Sequence, residues 1–225
     1  MAGRYRTKKK PRRALLPLLL LLALAAAACI LLLRRGGADA DWQLRLVNPW
    51  HAMPADYAPE LTDIGGGQAV DARCADALLE MLEDCRSAGL SPVVCSSYRT
   101  WETQQALYDN KIARVMAEGY SEADAPAVAA TVVAVPGTSE HQLGLAVDIV
   151  DAGYMEMDEA QEQTAVQQWL MAHCQEYGFI LRYPTGKSET TGIIYEPWHY
   201  RYVGREAAQE ITARGICLEE YLASR

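Results

Sequence analysis

The hydrophobic pattern changes abruptly along the chain. Residues 14–33 read ALLPLLLLLALAAAACILLL, a run of 20 positions without a charged side chain. An α-helix needs roughly 20 apolar residues to cross the hydrocarbon core of a bilayer. From residue 41 onward the apolar residues come instead in short segments that alternate with polar ones. The pattern therefore predicts one transmembrane helix followed by a globular domain.

Helical periodicity is clear in the globular part. Apolar residues recur at helical spacing over 71–88, 100–119 and 162–177, which predicts three amphipathic helices. A further helix over 123–133 requires Pro126 to lie in its first turn, where proline is tolerated.

The predicted strands are few and short. Apolar or alternating segments at 42–48, 91–96, 143–150, 179–183 and 192–202 have the lengths and residue types of strands. Helices precede and interrupt this small group. We therefore expect an α+β domain, with a small antiparallel sheet flanked by helices, preceded by one transmembrane helix.

Charge defines the domain boundaries. Nine of the 21 basic residues lie within the first 35 positions, where there is no Asp or Glu. The positive-inside rule places such an arm in the cytoplasm. We predict a basic cytoplasmic arm at 1–13, a membrane anchor at 14–33, a linker with a first short strand at 34–46, and a domain at 47–225 outside the cytoplasm.

A cleaved signal is the alternative for the apolar run. The apolar region of a signal peptide spans only about 7–15 residues before a small-residue cleavage site, and Ala26 to Cys29 faintly resembles a lipoprotein site. The run nevertheless continues through Ile30 to Leu33. This continuation favours an uncleaved anchor.

The exported part is strongly acidic and contains five cysteines. It holds the remaining 12 basic residues against all 29 acidic ones, so we expect no nucleic-acid partner, because phosphate binding needs a clustered positive surface. An odd number of cysteines cannot all pair within one chain. Cys74 and Cys85, eleven positions apart on one predicted helix, would be about 16 Å apart, too far for a disulfide. One bridge among the others stays open.

Residues with metal-binding chemistry occur in two segments. His141 and Asp148 offer an imidazole nitrogen and a carboxylate oxygen, and His199 adds a third ligand three residues after Glu196. Three protein ligands leave one zinc coordination position open, as in catalytic sites. Zinc lowers the pKa of bound water to about 7, and a nearby glutamate can take its proton. Glu196 is the candidate base.

A third segment, SSYRTWETQ at 96–104, contributes Arg99. A guanidinium can hold a terminal carboxylate bidentately or stabilise an oxyanion. An ordinary surface ion pair is the alternative in so acidic a domain.

The segments SSYRTWETQ, PGTSEHQLGLAVDI, YGFILRYPTG and TGIIYEPWHYRYVG together resemble the VanY-type zinc D-alanyl-D-alanine carboxypeptidases. The resemblance covers about residues 47–221. It implies a fold shared with D,D-dipeptidases and the Hedgehog signalling domain, and one zinc ion held by His141, Asp148 and His199, with Glu196 as base.

The same resemblance assigns further roles. Arg99 matches the arginine that binds the transition state or the substrate carboxylate. Gln104 and Ser139 match positions that help to hold the peptide, and Tyr183 is expected to line the same pocket.

Three functions remain open at this level. The first is removal of the terminal D-alanine from peptidoglycan stem peptides or precursors, by an enzyme anchored in a bacterial cell membrane. The second is an L,D-carboxypeptidase or D,D-dipeptidase acting on related wall peptides. The third is a non-catalytic zinc-bearing module that binds wall peptide or a protein partner, against which the presence of Glu196 argues.

Overall fold

The computed structural model describes residues 41–54 and 56–225. The predicted arm at 1–13 and the predicted membrane span at 14–33 lie outside these residues. Within the described ranges, every helix is too short or too polar to cross a membrane.

The strands form two antiparallel sheets. A hairpin joins β1 (Leu61–Gly65) to β2 (Gln68–Asp71). The main sheet has the order β3-β4-β6-β5, and all its neighbours are antiparallel. Its strands are β3 (Pro92–Ser96), β4 (Ala146–Asp151), β5 (Phe179–Leu181) and β6 (His199–Tyr202).

Seven α-helices belong to the described part of the chain. They are α1 (Ala72–Ser87), α2 (Trp101–Ala117), α3 (Ala125–Ala130), α4 (Ala165–His173), α5 (Ser188–Thr191), α6 (Arg205–Arg214) and α7 (Leu218–Ala223). Short 3₁₀ helices lie at Trp42–Leu44, Glu140–Leu143, Glu159–Gln163 and Cys174–Tyr177.

The core forms where the helices cover the sheet. The first five residues of β4 are all buried, as expected for a central strand with both faces covered. Helix α1 buries its apolar stripe, including Leu78, Met81 and Leu82, and packs against α4 and β3. A second cluster joins Ile180 to α6 and α7 through residues such as Ile211.

Most predicted elements are confirmed, with shorter ends. The α+β class and the helices predicted at 71–88, 100–119 and 123–133 correspond to α1, α2 and α3. The helix predicted at 162–177 is divided into α4 and a 3₁₀ turn. Proline 126 lies in the first turn of α3, as the sequence requires.

Other predictions were wrong or incomplete. The segment 42–48 is not a strand, because Trp42–Leu44 form a 3₁₀ turn. Only His199–Tyr202 of the predicted strand at 192–202 pair in the sheet. The β1-β2 hairpin was not predicted. The five cysteines that the structure describes are all free, so none of them forms a bridge with another.

Strand register determines where the site forms. Asp148 on β4 is the direct cross-strand partner of His199 on β6, and Ser96 on β3 lies opposite Asp148 on the other side. Directly opposed residues have Cβ atoms about 4.5–5.5 Å apart. The main sheet therefore brings two candidate metal ligands together through backbone pairing alone.

Candidate active site

His141 reaches the sheet through a tight turn. It lies in the 3₁₀ helix before β4, which ends at Gly144 with φ 72°. The Gly144 amide donates to the His141 carbonyl at 3.1 Å, and a Cβ at this position would lie 2.9 Å from the backbone nitrogen of Asp71. Both the left-handed conformation and the close approach require glycine.

Three side chains converge beside the sheet. The Nε2 atom of His141 lies 3.2 Å from Oδ2 of Asp148, and Nδ1 of His199 lies 3.1 Å from Oδ1 of Asp148. All three residues are buried, and one ligand atom from each lies within 4.8 Å of the other two. Oδ1 of Asp148 is buried, yet it has no hydrogen-bond partner in the part of the chain that the structure describes. Two imidazoles and a carboxylate in this arrangement fit a zinc ion with an open fourth position.

A backbone carbonyl sets the orientation of His141. Its Nδ1 atom lies 2.8 Å from the carbonyl oxygen of Ser97, so Nδ1–H donates there and Nε2 presents its lone pair to the metal site. Burial, with the nearby Arg99 guanidinium, lowers the pKa of His141 to about 4. The ring is therefore neutral at physiological pH, as a metal ligand must be.

The pKa of His199 is shifted in the opposite direction. Burial disfavours its protonation, but the carboxylates of Asp148 and Glu140 outweigh this effect and raise its pKa to about 9. Asp148 remains ionised, because its two histidine neighbours overcome the effect of burial and hold its pKa below the usual range. A cation bound among these residues replaces the proton that His199 would otherwise hold.

Glu196 lies next to the three candidate zinc ligands. Its Oε2 atom lies 3.6 Å from Nδ1 of His199, and only about a tenth of its side chain is exposed. Burial, together with the negative charge of Asp148, raises its pKa to about 8. A carboxylate with a pKa near neutrality is well matched to accept a proton from water and to return it.

Arg99 contacts the metal site directly. Its Nη2 donates to Oδ2 of Asp148 at 2.8 Å, its Nε donates to the hydroxyl of Ser96 at 2.9 Å, and its Nη1 is 3.4 Å from Oε1 of Gln104. The alternative of an ordinary surface pair does not describe this contact, because Asp148 is buried and Arg99 is largely so.

A cleft of about 400 Å³ opens over these residues. Ser139 and Tyr183 line it, and the Tyr183 ring lies 4.7 Å, centroid to centroid, from the ring of His199. Gln104 is fully buried and donates to the carbonyl of Ala134 at 2.7 Å. The structure thus brings every predicted site residue to one place, with Gln104 behind Arg99 and the others on the cleft wall.

Sequence reasoning missed one buried acid in this region. Glu140 precedes His141, and its Oε1 accepts bonds from Arg182 and Arg201, each at 2.7 Å. The two guanidinium groups keep its pKa below the ordinary value despite complete burial. Its position beside a candidate ligand was the only available signal, since both arginines lie more than 40 residues away.

Comparison with known proteins agrees with this geometry. A family model described as VanY, D-alanyl-D-alanine carboxypeptidase, matches residues 67–205. The chain belongs to the VanY family. A D-alanyl-D-alanine carboxypeptidase of Enterococcus faecalis is 47% identical over 186 residues, which cover 83% of this chain and 68% of that protein.

Two solved VanY structures are similar throughout the domain. VanYB in complex with D-alanine-D-alanine has a TM-score of 0.76 at 47% identity, covering 82% of this chain and 99% of that one. A vancomycin-resistance D,D-pentapeptidase VanY, solved as a mutant with Zn(II), has a TM-score of 0.74 at 48% identity, covering 80% and 99%. The present chain is a zinc-dependent D-alanyl-D-alanine carboxypeptidase of the VanY type, and His141, Asp148 and His199 form its zinc site.

Proposed function

We propose that this VanY-type enzyme removes the C-terminal D-alanine from peptidoglycan stem peptides or their precursors. The observation that carries the proposal is the position of Glu196, a buried carboxylate on the open side of the zinc ligands, facing a cleft. A purely structural zinc site has no use for a base at this point, which argues against a non-catalytic module.

Glu196 acts as general base and then as general acid. Zinc, when bound, supplies Lewis acidity and lowers the pKa of a water molecule to about 7. Glu196 accepts the proton of that water as it attacks the carbonyl carbon, and then donates it to the leaving amine of D-alanine. The pKa of about 8 belongs to the zinc-free site. The charge of a bound zinc ion would lower this pKa, so that Glu196 is ionised when it accepts the proton.

Arg99 binds negative charge on the substrate. Its guanidinium is held in place by Ser96 and Gln104, so it can stabilise the oxyanion or pair with the terminal carboxylate without reorganisation. Gln104 supports Arg99 from behind, and Ser139 and Tyr183 contact the peptide along the cleft wall.

We also place the enzyme at the membrane. The basic arm and the charge-free run at 14–33 support an uncleaved anchor with the catalytic domain outside the cytoplasm. Protease added to intact cells should digest the domain and spare the arm. A mature chain that begins after the apolar run would contradict this placement.

The test of function combines defined peptides with one variant. Incubation of the zinc-loaded domain with stem tri-, tetra- and pentapeptides should release D-alanine from the pentapeptide, as detected by mass spectrometry. Cleavage of the tetrapeptide alone would instead indicate L,D-specificity.

Glu196→Gln keeps the size of the side chain but cannot accept a proton. We expect kcat to fall about 10²–10⁴-fold while zinc content and folding stay normal. Undiminished turnover with full zinc would remove Glu196 from the mechanism.

A further inference from the structure

Two cations that line the cleft have none of the carboxylate partners that most cations of this part of the chain have. Residues 41–225 contain twelve Lys and Arg residues, and eight of them form ion pairs with carboxylates. Lys111 and Arg114 line the cleft, and neither has a carboxylate within 4 Å among the residues that the structure describes. Within residues 41–54 and 56–225, the Arg114 side chain bonds only to the amide oxygen of Asn110 on its own helix, at 3.2 Å.

These cations lie on one face of α2 that begins at the zinc site. Gln104, Leu107, Lys111 and Arg114 follow one another at three- and four-residue spacing, so they share a stripe along the helix. Gln104 contacts Arg99, which in turn contacts Asp148. With a rise of 1.5 Å per residue, Lys111 lies about 10 Å and Arg114 about 15 Å along the helix from Gln104.

We infer that Lys111 and Arg114 bind an anionic group of the peptide substrate about three or four residues before the scissile bond. The inference rests on the proposed function, because a carboxypeptidase holds one residue beyond that bond and the rest of the peptide before it. An extended chain advances about 3.3 Å per residue, so 10–15 Å corresponds to three or four residues. Excess negative charge elsewhere on the domain makes this pair a distinctive anion site.

Two matched substrates test the inference. The first is a pentapeptide ending in D-Ala-D-Ala with a free carboxylate on the third residue before the scissile bond, supplied by γ-linked D-glutamate. The second carries the carboxamide of that residue. At low ionic strength we expect kcat/KM to be about three- to tenfold higher for the carboxylate, since partly exposed pairs contribute little each. The difference should shrink towards 1 M salt, where charges are screened within about 3 Å.

Two double variants separate the site from general charge. K111A/R114A should abolish the preference by lowering kcat/KM for the carboxylate peptide to the value for the carboxamide peptide. R86A/R205A removes the same net charge from exposed positions outside the cleft and should keep the preference. Equal cleavage of both peptides by the wild type, or a preference that survives in K111A/R114A, would overturn the inference alone. Cleavage of neither peptide by the zinc-loaded wild type would remove the proposed function as well.

A second inference comes from the buried acid behind the zinc site. Glu140 is fully buried, and Oε1 alone receives both guanidinium groups. Arg182 is in turn held by Glu219, at 2.9 and 2.6 Å. Buried charges of this kind are costly to desolvate, so their arrangement calls for a reason beyond stability.

The second oxygen of Glu140 supplies that reason. Oε2 lies 3.7 Å from Nε2 of His199. Both atoms are buried, and neither has a hydrogen-bond partner among the described residues. The other ring nitrogen of His199, Nδ1, faces Asp148 in the zinc site. When Nδ1 binds a metal, the neutral ring carries its proton on Nε2, directly opposite this carboxylate.

We infer that Glu140 is a positioning residue for zinc, which orients the His199 ring and selects the tautomer that presents Nδ1 to the metal. Carboxylates behind metal-bound histidines typically contribute 10–100-fold to metal affinity. The two arginines hold Glu140 in place, so it accepts the Nε2 proton without moving.

Zinc affinity, measured by competition with a chromophoric chelator, tests this role without reference to turnover. E140D keeps the negative charge for the arginines but withdraws the carboxylate from His199. In E140Q the amide oxygen is needed by the two guanidiniums, so the NH₂ group faces Nε2 and opposes the required tautomer. We expect each variant to lose about 10–100-fold in zinc affinity.

E219Q is the matched control, because it removes a carboxylate from the same Arg182 without contact with His199. It should lose stability but keep its zinc affinity within about threefold of wild type. If E140Q does not fold, the zinc affinity of E140D tests the inference by itself. Full zinc affinity in E140D, or an equal loss in E219Q, would reduce Glu140 to a structural counter-ion.

Discussion

Gly144→Ala offers a direct test of how the turn builds the zinc site. The residue has φ 72° and ψ 11°, a conformation that costs an L-residue about 1–2 kcal/mol. The new Cβ would also lie 2.9 Å from the backbone nitrogen of Asp71. That backbone cannot yield cheaply, because the Asp71 amide donates to the Gly144 carbonyl at 2.8 Å.

We therefore expect Gly144→Ala to lower the free energy of unfolding by about 2–5 kcal/mol, adding about 1–3 kcal/mol of overpacking to the conformational cost. Because the Gly144 amide also bonds the His141 carbonyl, zinc affinity should fall as well. Urea unfolding in the presence of a chelator measures the first effect, and chelator competition measures the second.

Gly215→Ala is the control for conformation alone. Gly215 has φ 63° and ψ 37° at the end of α6, and its added Cβ would meet no atom of the described residues within 4 Å. It should cost only about 1–2 kcal/mol and leave zinc affinity unchanged. Equal destabilisation by the two substitutions, or normal zinc affinity in Gly144→Ala, would refute the reasoning.

Three further predictions concern the metal and the substrate. Below about pH 9, zinc must displace the proton that His199 holds. The apparent zinc affinity should therefore rise about tenfold per pH unit from pH 7 to pH 9. An affinity that does not change with pH would contradict this prediction. Because the pKa of His199 is raised in the folded state, the zinc-free protein should lose stability as the pH rises from 6.5 to 9. The raised pKa of Glu196 acts in the same direction up to about pH 8. Urea unfolding at a series of pH values measures this loss. Arg99→Lys should lose about 10²-fold in kcat/KM, because lysine cannot reproduce the planar fork, and full activity would exclude bidentate recognition.

The elements that were best predicted from the sequence are those whose formation depends on neighbouring residues in the chain. Helices α1 and α2 have a clear 3.6-residue period, and their caps at Asp71 and Thr100 accept hydrogen bonds from the following backbone amides. The segment 42–48 was wrongly predicted to be a strand. Alternation of apolar and polar residues over a few positions does not distinguish a strand from a turn that packs by other contacts. The missed β1-β2 hairpin did carry a signal, three successive glycines from Gly65, each with positive φ.

The zinc ligands were predictable because ligand chemistry is visible in residue type and spacing. The residues that hold these ligands in place were not predictable, because they depend on contacts between distant segments. Arg182 and Arg201 look like surface residues in the sequence, yet both are fully buried around Glu140. Similarly, the contact of His141 with the Ser97 carbonyl joins segments 44 positions apart.

The direct pairing of Asp148 with His199 also has a consequence for folding. Successive side chains of a strand point to opposite faces, so a slip of one residue between β4 and β6 would turn one of these two ligands away from the other. Only a correctly aligned sheet can then bind the ion. Bound zinc at a concentration 100 times its Kd stabilises that form by about 2.7 kcal/mol, and misaligned forms gain nothing. Zinc binding would thus favour the native alignment of β4 and β6 over an alignment that is shifted by one residue.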